Sequence, residues 1–294
     1  MRRILLRFMA AILMAFSTVS IAAYAQQTVI AGNNSNGEEY SYFYDVENKN
    51  PILLDTVLLR INYLKNFVVD TIENTRVQEM STLELGRKIS KFYNRQYFMA
   101  DSLLQVGPSA EAVRLLYENI SYPLTFFETF YQNYPAGKLT VSGRILTQYL
   151  LYEEDMPKID WTLRDSTKEL LGITCFQAVC SFRGRDYTAW YTPEIPSMSG
   201  PWKFSGLPGL ILEVYDSRNE YRFTAHSIYR TGCRIYMPDK DYLKTNRRKF
   251  EQAQRLLIEH PTAANSLYMG NSAWKALTLK VMNFIMRYNF LETE

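Results

Sequence analysis

Phe176-Gln177-Ala178-Val179-Cys180-Ser181-Phe182-Arg183-Gly184-Arg185-Asp186-Tyr187-Thr188-Ala189-Trp190-Tyr191 is the stretch from which the fold is read. Phe176, Ala178, Cys180 and Phe182 fall on one face of a strand, because side chains alternate with a period of two. Arg183-Gly184-Arg185 is short enough to turn a hairpin, and Tyr187, Ala189 and Tyr191 run back. Working outward, Leu210 to Tyr215 reads as a further strand, Asp216 to Asn219 as its turn, and Tyr221, Phe223 and Ala225 as one face of the next. Between the hairpin and Leu210 lies a stretch punctuated by Pro193, Pro196, Pro201 and Pro208. Its end, Leu207-Pro208-Gly209-Leu210, has the type II turn pattern, with Gly209 where a positive φ is required and Gly206 just before.

Towards the N-terminus, Tyr42, Tyr44, Val46, Val57 to Ile61 and Phe67 to Val69 read as strands, with Asn48 to Pro51 as a turn. Leu83, Leu85 and Ile89 continue the sheet, and Pro135-Ala136-Gly137 opens another strand from Lys138. Three segments read as helical. Ser109 caps one that carries Val113, Leu116, Tyr117 and Ile120. Asp239 caps a second, with Tyr242, Leu243, Phe250, Ala253 and Leu257 on its stripe, and Trp274 to Tyr288 forms a third. The predicted class is therefore α+β: a predominantly antiparallel, curved, half-barrel-like sheet with one inserted helix and two C-terminal helices.

The chain of 294 residues is 47% hydrophobic and 21% charged, which excludes a disordered chain and provides for one sizeable core. Its start has export character. Arg2, Arg3 and Arg7 precede the apolar run Phe8 to Phe16, and Ala23-Tyr24-Ala25 fits small-x-small cleavage. The division expected is a cleaved signal peptide over 1–25, a flexible lead-in over 26–39 and a single domain over 40–294. No Cys lies near the cleavage point for a lipid anchor, and no later stretch is apolar enough to span a membrane. The predicted location is the periplasm or the exterior. The first 25 residues hold three Arg and no acid, so their removal leaves 30 basic against 30 acidic residues and no basic excess for nucleic acid.

The chemistry-bearing residues cluster centrally. Arg183, Arg185, Asp186, Trp190, Glu194 and Trp202 surround the Pro/Gly-rich loop, and aromatics with Arg are the usual anchors of recognition surfaces. Against this stands the reading in which the aromatics are core and the loop caps the sheet. Asp186, Glu194 and Glu213 are the carboxylates for a glycosidase-like hydrolase, which needs two of them ~5–9 Å apart. His226 and His260 have no companion at ligand spacing, so neither a metal nor a cofactor is expected. Lys244, Arg247, Arg248 and Lys249 form a basic cluster that reads as a solvated helix face rather than a site for an anionic partner. Of Cys175, Cys180 and Cys233, a bridge, if formed in an oxidising compartment, joins Cys233 to one of the other two; the alternative is three small buried hydrophobes.

Gly206-Leu207-Pro208-Gly209-Leu210-Ile211, preceded in order by Asp160-Trp161-Thr162-Leu163, Leu171 to Ala178, Phe182 to Pro196 and Gly200-Pro201-Trp202-Lys203-Phe204, resembles the GLPGLI family of exported bacterial proteins. The similarity is clear over Asp160 to Asp216 and looser back to Leu83. Family tails often read Tyr-Asn-Pro-Ile-Glu; here Tyr288-Asn289-Phe290-Leu291-Glu292 lacks the Pro. Cys180 and Cys233 are additional to the family's usual single Cys, which Cys175 matches. The resemblance implies export and fold kinship and supplies no activity. The function read from the sequence is an exported envelope protein that binds a protein or small ligand through the central loop without catalysis. The alternatives are a periplasmic hydrolase and a structural envelope scaffold.

Overall fold

A computed structural model describes residues 27–33, 39–45, 51–95, 128–145, 148–259 and 291–292. The hairpin around Arg183-Gly184 is formed by β11 (Ile173–Phe182) and β12 (Arg185–Thr192), with Phe176 opposite Tyr191 and Phe182 opposite Arg185. Its turn places Arg183 at φ 50° and Gly184 at φ 78°. Two consecutive positive φ values match the strand twist, which is why a two-residue connection suffices. Before it, β10 (Thr162–Leu170) pairs with β11; after it, β13 (Leu210–Asp216) and β14 (Tyr221–Arg230) continue the sheet.

β14 pairs with β4 (Leu59–Asp70), and the sheet then runs through β5 (Thr75–Leu85), β6 (Ser90–Asn94), β7 (Thr129–Gln132), β8 (Lys138–Ile145) and β9 (Gln148–Asp155). The last member, β16 (Leu243–Thr245), pairs with β9 in parallel and completes a 12-stranded open sheet. β1 (Gln27–Asn33) and β2 (Glu39–Asp45) form a separate pair, so a strand occupies part of the stretch read as a lead-in. β3 (Ile52–Thr56) pairs with β15 (Arg234–Met237).

The predicted α+β class is corrected to mostly β. Among the described residues the only helix element is α1 (Arg247–Glu259). The segments read as helical from Ser109 and over Trp274 to Tyr288 lie outside the described residues, as do residues 1–25. The helix expected from Asp239 begins eight residues later. Leu243–Thr245 adds to the open edge of β9 instead, and Asn246 caps α1 by accepting the Lys249 N–H at 3.0 Å. No helix among the described residues is long and apolar enough to cross a membrane.

The sheet bends over onto itself. In the sheet order β12 and β9 are eight strands apart, about 38 Å if flat at ~4.8 Å per strand. Yet Arg183, in the turn before β12, meets Glu154 of β9 at 3.1 Å. The inner face holds the main core, including Tyr63, Phe92, Val141, Ala189, Phe204 and Phe223. Cys175 and Cys180 are buried in it, Cys233 is exposed, and all three are free thiols, so no bridge to Cys233 forms in this structure.

Candidate functional site

The loop between Thr192 and Leu210 is folded inward rather than displayed. Leu207, Leu210 and Ile211 are fully buried, as is Phe204, and Trp202 is nearly so. Gln132 of β7, in the opposite half of the sheet, donates its amide to the carbonyls of Trp202 (3.1 Å) and Gly200 (3.3 Å). Trp161 Nε1 holds the Ser205 carbonyl at 2.9 Å. The turn differs from the type II prediction: the Gly209 N–H donates to the Leu207 carbonyl at 2.8 Å, a three-residue γ-turn centred on Pro208. Glycine is required at 209 by close approach as well as by φ. A Cβ there would lie 2.1 Å from the Thr192 carbonyl oxygen.

The predicted site residues do not form one constellation. Arg185 is buried against Asp216 (3.1 Å) and Glu220 (2.6 Å), with its guanidinium 5.1 Å from the Tyr221 ring centre. Trp190 and Glu213 are cross-strand partners on β12 and β13. Lys168 covers the Trp190 ring and also pairs with Glu213, which further accepts from Arg222 at 2.8 Å and Thr224 at 3.1 Å. Asp186 is exposed and bonded to Ser181, and Glu194 is exposed beside Thr192. Asp186 stands four residues along β12 from the partner of Glu213, about 13 Å at ~3.3 Å per residue, so this pair does not converge on one bond.

Arg183 and Trp202 do come together, around a residue that sequence reasoning passed over. Lys203 is 1% exposed and pairs with Glu154 at 3.2 Å and with Glu292. Arg183 reaches Glu154 at 3.1 Å and Glu292 at 3.7 Å, and Arg247 of α1 reaches Glu292 at 3.0 Å and Glu251 at 3.1 Å. One signal for Lys203 was present, a cation between Trp202 and Phe204. Glu154 carried none. The tail without Pro still docks: Leu291 packs against the core and Glu292 enters this network. Within the basic cluster, Arg247 is therefore drawn inward by acids rather than left solvated.

Beside the network is a cleft of about 100 Å³ on the inner face. Its walls combine the rings of Phe92, Phe130, Tyr152, Trp202, Tyr221 and Phe223 with Glu79, Glu128, Glu251, Glu292 and Lys65. Burial, with a hydrogen bond to Glu292, pushes Glu251 up to about 7 against the pull of Arg247 and Lys203. Burial acts to raise Glu292 as well, but Lys203 and Arg183, with hydrogen bonds from Lys203 and Glu251, outweigh it and hold that carboxyl below the usual range. Burial raises Glu128, opposed by the Gln254 amide that donates to it at 2.9 Å. The site thus offers apolar ring faces, acceptor oxygens and a proton-sharing carboxyl pair.

A family model described as a protein of unknown function (Porph_ging) matches residues 181–213, the segment from the end of β11 through the inward loop into β13. No curated protein matches the chain. Crystal structures of PNGF-II in space groups C2 and P21 are similar to it at 13% identity, with TM-scores of 0.49 and 0.48. Each likeness covers 68% of this chain and 33% of PNGF-II, so the chain spans about a third of those structures' length.

Proposed function

We propose that the protein is an exported, non-catalytic binding protein of the cell envelope that takes a small ligand in the cleft beside Trp202. The observation that carries this reading is the lining: six aromatic rings together with four carboxyl side chains in one concave site. Ionised carboxylates only accept hydrogen bonds, and ring faces cover apolar area. The ligand that fits bears hydroxyl or amine donors around an apolar face, and a sugar is the simplest case. The signature loop then acts by building the floor of the cleft through Trp202, while its other residues hold the two halves of the sheet together. Export rests on the basic-then-apolar start and Ala23-Tyr24-Ala25.

The hydrolase reading gains less support. Glu213 is locked by Lys168 and Arg222, and Glu251 is in hydrogen-bond contact with Glu292, closer than the ~5 Å a glycosidic bond requires between two catalytic carboxyls. The test is intrinsic tryptophan fluorescence during titration with neutral mono- and oligosaccharides and small amines. A saturable change in the wild type that is lost in Trp202→Phe, with the fold retained, is expected. No saturable response to any of these probes would overturn the reading in favour of a scaffold.

A further inference from the structure

A second cavity, of about 60 Å³, lies on the outer face of the sheet under the segment that follows β15. Tyr131 of β7 lines it and is fully buried, and its hydroxyl has no hydrogen-bond partner. Ser142, diagonal to it on β8, does not reach it with hydrogen-bond geometry. Burial holds the phenol far on the protonated side, so Tyr131 presents an O–H donor to the cavity. A buried donor without an acceptor is costly, and native structures rarely keep one without a reason.

The charges around that donor have one dominant sign. Lys91 is 2% exposed, donates to the Tyr236 carbonyl at 3.1 Å, and lies 4.5 Å and 5.0 Å from the Tyr236 and Tyr93 ring centres. Arg144 and Lys240, from different elements, converge on the ring of Tyr149 at 5.7 Å and 5.2 Å. Two acids come near. Glu84 is the cross-strand partner of Lys91 but pairs with Arg60 at 2.6 Å, and Glu128, whose pKa burial raises, is bonded to Gln254 on the inner side. Three cations and an unanswered hydroxyl donor therefore surround a space of a few heavy atoms.

We propose that this outer pocket binds a small oxyanion, a phosphate or carboxylate group, with Tyr131 Oη donating to it and Lys91, Arg144 and Lys240 supplying the charge. It is separate from the inner cleft and does not depend on what that cleft binds. The tyrosine walls lower the local polarity, which strengthens each charge–anion contact.

Isothermal titration of the purified protein with inorganic phosphate and with acetate, at ionic strength fixed by sodium chloride, tests it. Saturable heat with either anion is expected, and the stronger of the two assigns the group. Tyr131→Phe should weaken that binding about tenfold or more, the scale of one hydrogen bond to a charged group. Lys240→Gln should weaken it less, because Lys240 contributes charge only. Without anion, Tyr131→Phe should melt at or above the wild-type temperature, since it removes an unpaired hydroxyl and keeps the ring. The proposal is overturned by no saturable heat with either anion, by unchanged affinity in Tyr131→Phe, or by a lower melting temperature of anion-free Tyr131→Phe.

Discussion

Lys203 and Glu292, 89 residues apart in the chain, form one buried ion pair at the point where the central loop, β9 and α1 meet. Removing Lys203 takes away the most deeply buried cation of the cluster and leaves Glu154 and Glu292 to Arg183 and Arg247 alone. Lys203→Met should therefore destabilise the protein by about 3 kcal/mol in urea unfolding, the usual scale for breaking a buried pair. Adding Glu292→Gln should restore part of the loss. A Lys203→Met variant as stable as wild type would show that Arg183 and Arg247 alone neutralise Glu154 and Glu292.

The same cluster predicts a pH dependence. Glu251, pushed up to about 7, keeps a proton in the folded state that the unfolded chain releases near 4.5. Between those values the folded state binds more protons, so stability falls as pH rises through that window and levels off above it. Glu292, held low, acts in the opposite sense: its stabilisation is present above 4.5 and is lost as the solution is acidified through its folded pKa. Melting measured from pH 5 to pH 8 should show a decline of about 1–3 kcal/mol. Glu251→Gln, which mimics the protonated form, should flatten it; an unaltered slope in that variant places the titration elsewhere.

Gly209→Ala should cost about 3 kcal/mol or more, because the new Cβ meets the Thr192 carbonyl oxygen at 2.1 Å and the loop cannot retreat from Gln132 without losing its anchor. Gly172→Ala is the control. Its φ is +75° but nothing lies within 4 Å, so only the backbone preference is lost, roughly 1–2 kcal/mol. Chemical denaturation of both variants checks the order, and equal costs would reduce Gly209 to a φ requirement.

Arg185→Ala should lower stability by about 3 kcal/mol, since Asp216 is 1% exposed and Arg185 neutralises it at 3.1 Å. Arg185→Lys should recover only part of this, because Nη1, which meets both Asp216 and Glu220, lies one bond further out than an ammonium reaches, and the guanidinium plane also faces the Tyr221 ring. Thermal melting of the two variants measures it. A stable Arg185→Ala protein would return this residue to the candidates for ligand contact.

The hairpin around Arg183-Gly184 was legible because its alternation and its turn both lie within a few residues of each other. Strand after strand was found in the same way, from Tyr221, Phe223 and Ala225 to the run after Gly137. The start of α1 was misplaced because Leu243 fits the helical stripe of Phe250 and Ala253 as well as a strand, and the open edge of β9 decided between them. For the site, Trp202 was found by residue type. Lys203 and Glu292 stood only within the segments compared with the family, with no role read for either, and Glu154 and Gln132 were not found at all.

Local alternation and turn chemistry, which depend on neighbours in the chain, determined by themselves that this protein would be built of antiparallel strands and where the loop between Thr192 and Leu210 would fall. Only the tertiary structure decided which way that loop faces. Residues 193–209 contain aromatics, prolines and a cation that serve equally well on a surface or beneath one. The bend that brings Glu154 of β9 against Arg183 and Lys203 sums small twists over many strands. The bend turned an apparent recognition loop into the floor of a cleft, because a buried lysine is stable only where distant carboxylates come to meet it.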